Sequence, residues 1–142
     1  MSTPHSDAIE LFMTRDPVCI DAAHPIAGAY QRMLSIGCRH LPLISGGMLV
    51  GVISLRGLYR LAESRDKLTL ATRSVFDAVE EPFVVVLGTP VSEVAAQMSA
   101  SGFEAAIIVD RGQVIGIFTE ADAVRALASL GSSVRAPADT VV

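Results

Sequence analysis

The chain repeats itself once at a constant offset, and this limits its possible architectures more than any other feature of the sequence. Pro17 and Pro82 stand 65 positions apart, as do Pro25 and Pro90, Met33 and Met98, Gly37 and Gly102, Gly47 and Gly112, Gly51 and Gly116, and Arg60 and Arg125. Similar residues fall at the same offset: Ile20 with Val85, Leu43 with Ile108, Val50 with Ile115, Ser54 with Thr119. No gap is needed, so two copies of one unit are present, at residues 8–64 and 72–130.

Both copies read alike by periodicity. A short strand, Val18-Cys19-Ile20 or Phe83-Val84-Val85-Val86, leads to a proline suited to a first helical turn. Apolar residues recur at helical spacing from Ile26 to Ile36 and from Val91 to Ser101, and each helix stops at a glycine, Gly37 or Gly102. Two hairpin strands follow, Leu41 to Ile44 with Met48 to Ile53, and Ala106 to Val109 with Val114 to Phe118. A last helix covers Leu55 to Ala62 or Glu120 to Leu130. The expected class is α+β, built from two β-α-β-β-α units. A unit of about 57 residues has little core of its own, so the copies are expected to pack on one another. Glu63-Ser64-Arg65-Asp66-Lys67 reads as a polar surface crossing and residues 131–142 as a flexible tail.

Composition narrows the function. With 51% hydrophobic residues in 142, the chain can bury one sizeable core or two small ones that share an interface. Mean hydropathy is positive, yet runs such as Phe83 to Leu87 fall far short of the ~20 residues of a spanning helix, so no membrane partner is expected. The first residues carry neither a secretory nor a transit pattern, which makes the cytoplasm the expected location. A net charge of −4 without a basic cluster argues against nucleic acid. Cys19 and Cys38 form neither a zinc spacing nor a disulfide framework and read as buried thiols. No nucleophile elbow or metal-spaced His/Cys set is present; His5 and His24 sit in loop contexts, and an enzyme is not expected.

Met13-Thr14-Arg15-Asp16-Pro17, Gly37-Cys38-Arg39-His40-Leu41-Pro42-Leu43 and Gly51-Val52-Ile53-Ser54 resemble, in order and spacing, the pattern of cystathionine-β-synthase-type (CBS) domains. The second copy does so through Gly116-Ile117-Phe118-Thr119-Glu120-Ala121-Asp122. The resemblance implies a tandem Bateman module whose copies pack about a pseudo-twofold axis, leaving two equivalent clefts. In this family the clefts commonly hold AMP, ADP, ATP or S-adenosylmethionine. It further implies a homodimer and a target protein that reads ligand occupancy, with an adenine nucleotide as regulatory ligand and no required cofactor.

Thr119 stands at a strand end and Asp122 one helical turn later. A carboxylate there can accept from ribose hydroxyls, while a hydroxyl and a helix N-terminus can donate to phosphate. The same spacing is also an ordinary helix cap. In the first copy Ser54 is kept, but the counterpart of Asp122 is Gly57, so that cleft is expected to lack a ribose acceptor. By family geometry each cleft borrows from both copies. The Asp122 cleft would be completed by Ile117, Asp16, Val18, Cys38, Arg39 and His40, with Arg39 and His40 toward phosphates. The degenerate Gly57 cleft would be completed by Phe83 and Glu104, a carboxylate where the other has Arg39. One working adenosyl site is the expectation; a ligand-free interaction or dimerisation module is the competing reading, favoured by Gly57.

Overall fold

The computed structural model describes residues 7–63 and 71–131; the expected surface crossing beyond Glu63 and the expected tail beyond Gly131 lie outside the described residues. The first half contains β1 (Thr14–Arg15), β2 (Ile20–Asp21), α1 (Ile26–Ile36), β3 (His40–Ser45), β4 (Met48–Ser54) and α2 (Leu55–Glu63). The second contains β5 (Phe83–Val86), α3 (Val91–Ser101), β6 (Ala105–Asp110), β7 (Gln113–Thr119) and α4 (Glu120–Gly131). Single 3-10 turns, Ile9–Leu11 and Val75–Ala78, precede the two halves.

Helices α1 and α3 each follow a proline at the N-cap and stop at a glycine in the left-handed region, Gly37 at φ 81° and Gly102 at φ 74°. Any side chain would be strained there, which is why the repeat holds glycine at both ends. The strands form a three-stranded sheet in the order β2-β3-β4 and a four-stranded sheet in the order β1-β7-β6-β5. β2 runs parallel to β3 and β5 parallel to β6, the hairpins are antiparallel, and both hairpins carry an irregularity at equivalent positions, Leu43/Ile44 and Ile108/Val109.

Three apolar layers hold the fold together. One packs Ile26, Ala29 and Met33 of α1 and Leu58 of α2 against Leu41, Leu43 and Ile53 of the first sheet. A second packs Val91, Val94 and Met98 of α3 and Ala126 of α4 against Val85, Ala106, Ile108 and Phe118 of the other. Between the sheets, Ala105, Ile107 and Ile117 meet Leu49 and Val52, so each sheet is apolar on both faces and neither half could expose its inner face to water at low cost. The result, over the described residues, is a mixed α+β body of four helices on two face-to-face sheets.

The sequence copies and the packed halves do not coincide. Residues 7–15 leave their own copy. Ile9 enters the core of the second half, its N–H donates to Thr89 O at 2.8 Å, and β1 pairs antiparallel with β7, Thr14 opposite Ile117. In exchange Val75 is buried in the core of the first half and its N–H donates to His24 O at 2.8 Å, while Glu80 bridges to Val52 of β4. Each half is therefore completed by the lead-in segment of the other.

That exchange also corrects the first expected strand. Val18 and Cys19 stand outside the ladder, which begins only at Ile20 opposite Leu43. Thr14 and Arg15 belong to the opposite sheet, so the residues after them carry the chain from one sheet to the other. Asp16, with φ 48°, makes the turn. In the second half the strand starts where the sequence places it, at Phe83.

Candidate ligand clefts between the two copies

Each hairpin ends in a helix, and the strand-to-helix corner opens on a cleft walled by the other half. The wide cleft, about 700 Å³, is lined by Thr119 and Asp122 from its corner, Ile117 from β7, Asp16 and Val18 from the crossing segment, and Cys38, Arg39 and His40 ahead of β3. All eight residues expected there by sequence are brought together. The narrow cleft, about 350 Å³, gathers Ser54, Gly57, Phe83 and Glu104, again as placed by sequence, together with Arg56, Arg60 and Glu80.

Asp122 is 3% exposed, and its carboxylate is tied down on every side. Oδ2 accepts from the Thr119 N–H at 2.9 Å and from Thr119 Oγ1 at 3.2 Å. Oδ1 accepts from Thr14 Oγ1 at 3.1 Å and from the guanidinium of Arg125. The bond back to the Thr119 N–H is the helix-capping arrangement, so Asp122 caps α4. Arg125 is the loosest of these partners, its side chain 68% exposed. Oδ1 could change partner from that guanidinium to another donor without breaking the cap, which is made through Oδ2.

The narrow cleft departs from expectation in one respect. It does not lack a carboxylate: Glu80 supplies one. Its Oε2 accepts from Ser54 Oγ at 2.6 Å and lies 2.6 Å from where a Cβ on Gly57 would stand. Ser54 Oγ in turn accepts from the Gly57 N–H at 3.0 Å, capping α2. The physical reason is a slip of one residue. Thr14 pairs with Ile117 of β7, and Val52 stands 65 positions before Ile117, but its partner is Glu80 rather than Val79, the residue 65 positions after Thr14. Glu80 therefore occupies the place of Thr14. In the wide cleft the helix carries the carboxylate and the crossing segment the hydroxyl; in the narrow cleft the crossing segment carries the carboxylate and the helix has only Gly57.

Glu104 is also not left as an unpaired charge. It lines both clefts, its Oε1 2.8 Å from Arg56 Nη2 and its Oε2 3.4 Å from His40 Nε2. Burial pushes the His40 imidazole below its ordinary pKa of 6.5 despite the neighbouring Glu104, Glu80 and Glu120, so His40 is the weaker of the two expected phosphate cations. Arg39, exposed on the wall of the wide cleft, remains the stronger. Burial raises the thiol of Cys38 and keeps it protonated, in line with a wall residue rather than a nucleophile.

Sequence reasoning missed Glu80, Arg125 and the donor role of Thr14. Thr14 lies inside a quoted motif and could have been found there. Arg125 was visible as half of the repeated pair with Arg60. Nothing in a gapless offset points to Glu80, because its partner is displaced by one.

The CBS domain profile matches the chain twice, at residues 7–64 and 73–129, and the chain belongs to that family. Among solved structures, the fold is shared with a protein described as an acetoin utilization protein (AcuB) from Vibrio cholerae: TM-score 0.79, 24% identity, 91% of this chain and 97% of that one. CBSX2 in complex with AMP aligns with TM-score 0.76 and 27% identity over 87% of this chain and 97% of that one. The CBS domain pair of protein MJ0100, in complex with 5′-methylthioadenosine and S-adenosyl-L-methionine, shares the fold with TM-score 0.74 at 21% identity, over 86% and 96%. A curated relative, the meiotically up-regulated gene 70 protein of Schizosaccharomyces pombe, is 39% identical over 62 residues, 44% of this chain. The match spans only 8% of that protein's length.

Proposed function

We propose that the chain is a regulatory module that binds an adenosyl ligand, of the set AMP, ADP, ATP and S-adenosylmethionine, in the wide cleft, and that another protein reads its occupancy. No reaction is assigned to it. The observation that carries this reading is Asp122, a buried carboxylate at the wall of an approximately 700 Å³ cleft, whose Oδ1 is held by the exposed Arg125. Ribose hydroxyls would take over that oxygen, Val18, Ile117 and Cys38 would frame the base, and Arg39 and the α4 N-terminus would meet the phosphate. The complexes of CBSX2 with AMP and of MJ0100 with two adenosyl compounds support the ligand class.

Calorimetry with AMP and 2′-deoxy-AMP tests the ribose contact. Loss of one hydroxyl bonded to a charged acceptor costs about 1–3 kcal/mol, so AMP should bind roughly five- to 150-fold more tightly. Equal affinities would leave Asp122 as a helix cap and nothing more.

A homodimer in the cytoplasm is the expected working form. Tyr59 on α2 and Val124 and Leu127 on α4 are 49%, 67% and 72% exposed, apolar surface that a second copy could cover. Light scattering at micromolar concentration should give the mass of two chains; one chain at all concentrations would sink this part of the reading.

A further inference from the structure

The narrow cleft has three features that do not fit a vestige of the wide one. Its carboxylate is more available than that of its counterpart: Glu80 is exposed, Oε2 meets only Ser54, and Oε1 has no partner among the described residues. Arg60 stands one helical turn beyond Gly57, lines the same cleft, and has no ion pair or hydrogen bond among the described residues. A carboxylate oxygen and a guanidinium without partners among the described residues therefore line one cavity of about 350 Å³.

The apolar end of that cavity is lined by an aromatic pair. Phe83 and Phe103 hold the positions 65 beyond Val18 and Cys38, which line the wide cleft. Their rings stack with centroids 5.1 Å apart and planes 18° from parallel. A base inserted between them needs roughly 7 Å, two van der Waals contacts of about 3.5 Å each. A purine cannot be sandwiched between these rings, while the polar end offers an acceptor for hydroxyls and a donor for an anion.

We infer that the narrow cleft is a second ligand site, selective for a small polyhydroxylated anion of the sugar-phosphate class rather than for a nucleotide. The Glu80 carboxylate accepts from its hydroxyls and Arg60 pairs with its phosphate. Arg56 is held by Glu104 and shapes the wall. Gly57 leaves room for Glu80 to reach Ser54, since a Cβ there would stand 2.6 Å from Glu80 Oε2.

The probe is D-ribose 5-phosphate, titrated calorimetrically into the full chain with and without saturating AMP. The expected result is saturable binding that AMP does not compete away. Glu80→Gln, which keeps an acceptor for Ser54, should weaken binding at least tenfold. Arg60→Gln should weaken ribose 5-phosphate tenfold or more while leaving binding of free ribose within about twofold. Both side chains are exposed, and unchanged thermal midpoints show that the variants fold. No saturable heat with the unmodified chain, or indifference to both substitutions, would overturn the inference. Displacement by AMP would also overturn it by placing the sugar phosphate in the wide cleft. The Glu80 and Arg60 comparison stands even if AMP itself fails to bind, so this inference and the adenosyl reading fail separately.

Discussion

The two clefts began as one design and now differ in where the carboxylate resides. In the wide cleft Asp122 projects from the helix, is capped into place by Thr119 and is steadied by Thr14 from the crossing segment. In the narrow cleft the helix has only Gly57, and Glu80 reaches in from the crossing segment to the matching hydroxyl, Ser54. The same corner needs one acidic group to meet its hydroxyl, and a duplicated fold can deliver that group from either wall. A lost residue at one position therefore does not show that a site is lost. The difference at the other end is firmer: stacked phenylalanines line one cleft at the positions where the other has Val18 and Cys38.

The largest effect expected from this comparison is on nucleotide binding. Asp122→Ala should weaken AMP by about a hundredfold or more, the loss of at least one charge-assisted bond, whereas Glu80→Ala should leave AMP binding within about twofold. Calorimetry on the two variants decides it. If Glu80→Ala costs as much, the wide cleft is not where AMP resides. Asp122→Ala also removes a cap and should lower stability by about 1–2 kcal/mol, read from denaturant unfolding.

The carboxylate exchange can be rebuilt by mutation. Gly57→Asp alone places a second carboxylate and a Cβ against Glu80, and should destabilise the chain by about 1–3 kcal/mol. Adding Glu80→Thr reproduces the Thr14–Asp122 pairing in the narrow cleft and should recover most of that loss. A double-mutant cycle in urea measures the coupling. If the two costs simply add, the two arrangements are not alternatives.

Arg39→Ala comes next. It should weaken AMP about tenfold and leave adenosine nearly unaffected, since a guanidinium has no phosphate to meet in the nucleoside. Equal losses for both ligands would assign Arg39 to packing. The smallest effect concerns His40. Its folded pKa lies below 6.5, so on acidification the unfolded chain takes up the proton first. Stability should be full above about pH 6.5 and fall as the pH drops below it. His40→Gln should flatten part of that fall, the part that comes from the desolvated imidazole. Identical pH profiles for the two proteins would show that the imidazole is not desolvated.

Much of this was legible in sequence because it depends on local periodicity. Helices α1 and α3 begin after their prolines and end at their glycines as the spacing predicts, since a left-handed C-cap leaves few alternatives to glycine. The first strand was misread because Val18 and Cys19 look like strand residues, yet they are used in crossing between sheets. No local pattern distinguishes a paired extended segment from an unpaired one.

By itself, the sequence determined that there are two copies, that each alternates strands and helices in one order, and that Ser54 and Thr119 stand at equivalent strand-to-helix corners with Gly57 and Asp122 three residues on. A repeat at constant offset and a hydrophobic period are properties of the chain alone. Only the tertiary structure decided which half each lead-in segment joins and which acidic side chain serves each corner. Those choices depend on pairing between residues far apart, Thr14 with Ile117 and Glu80 with Val52, and on a one-residue slip that a gapless comparison conceals. The carboxylate that fills the space above Gly57 comes from 23 positions further along the chain, and only packing brings it there.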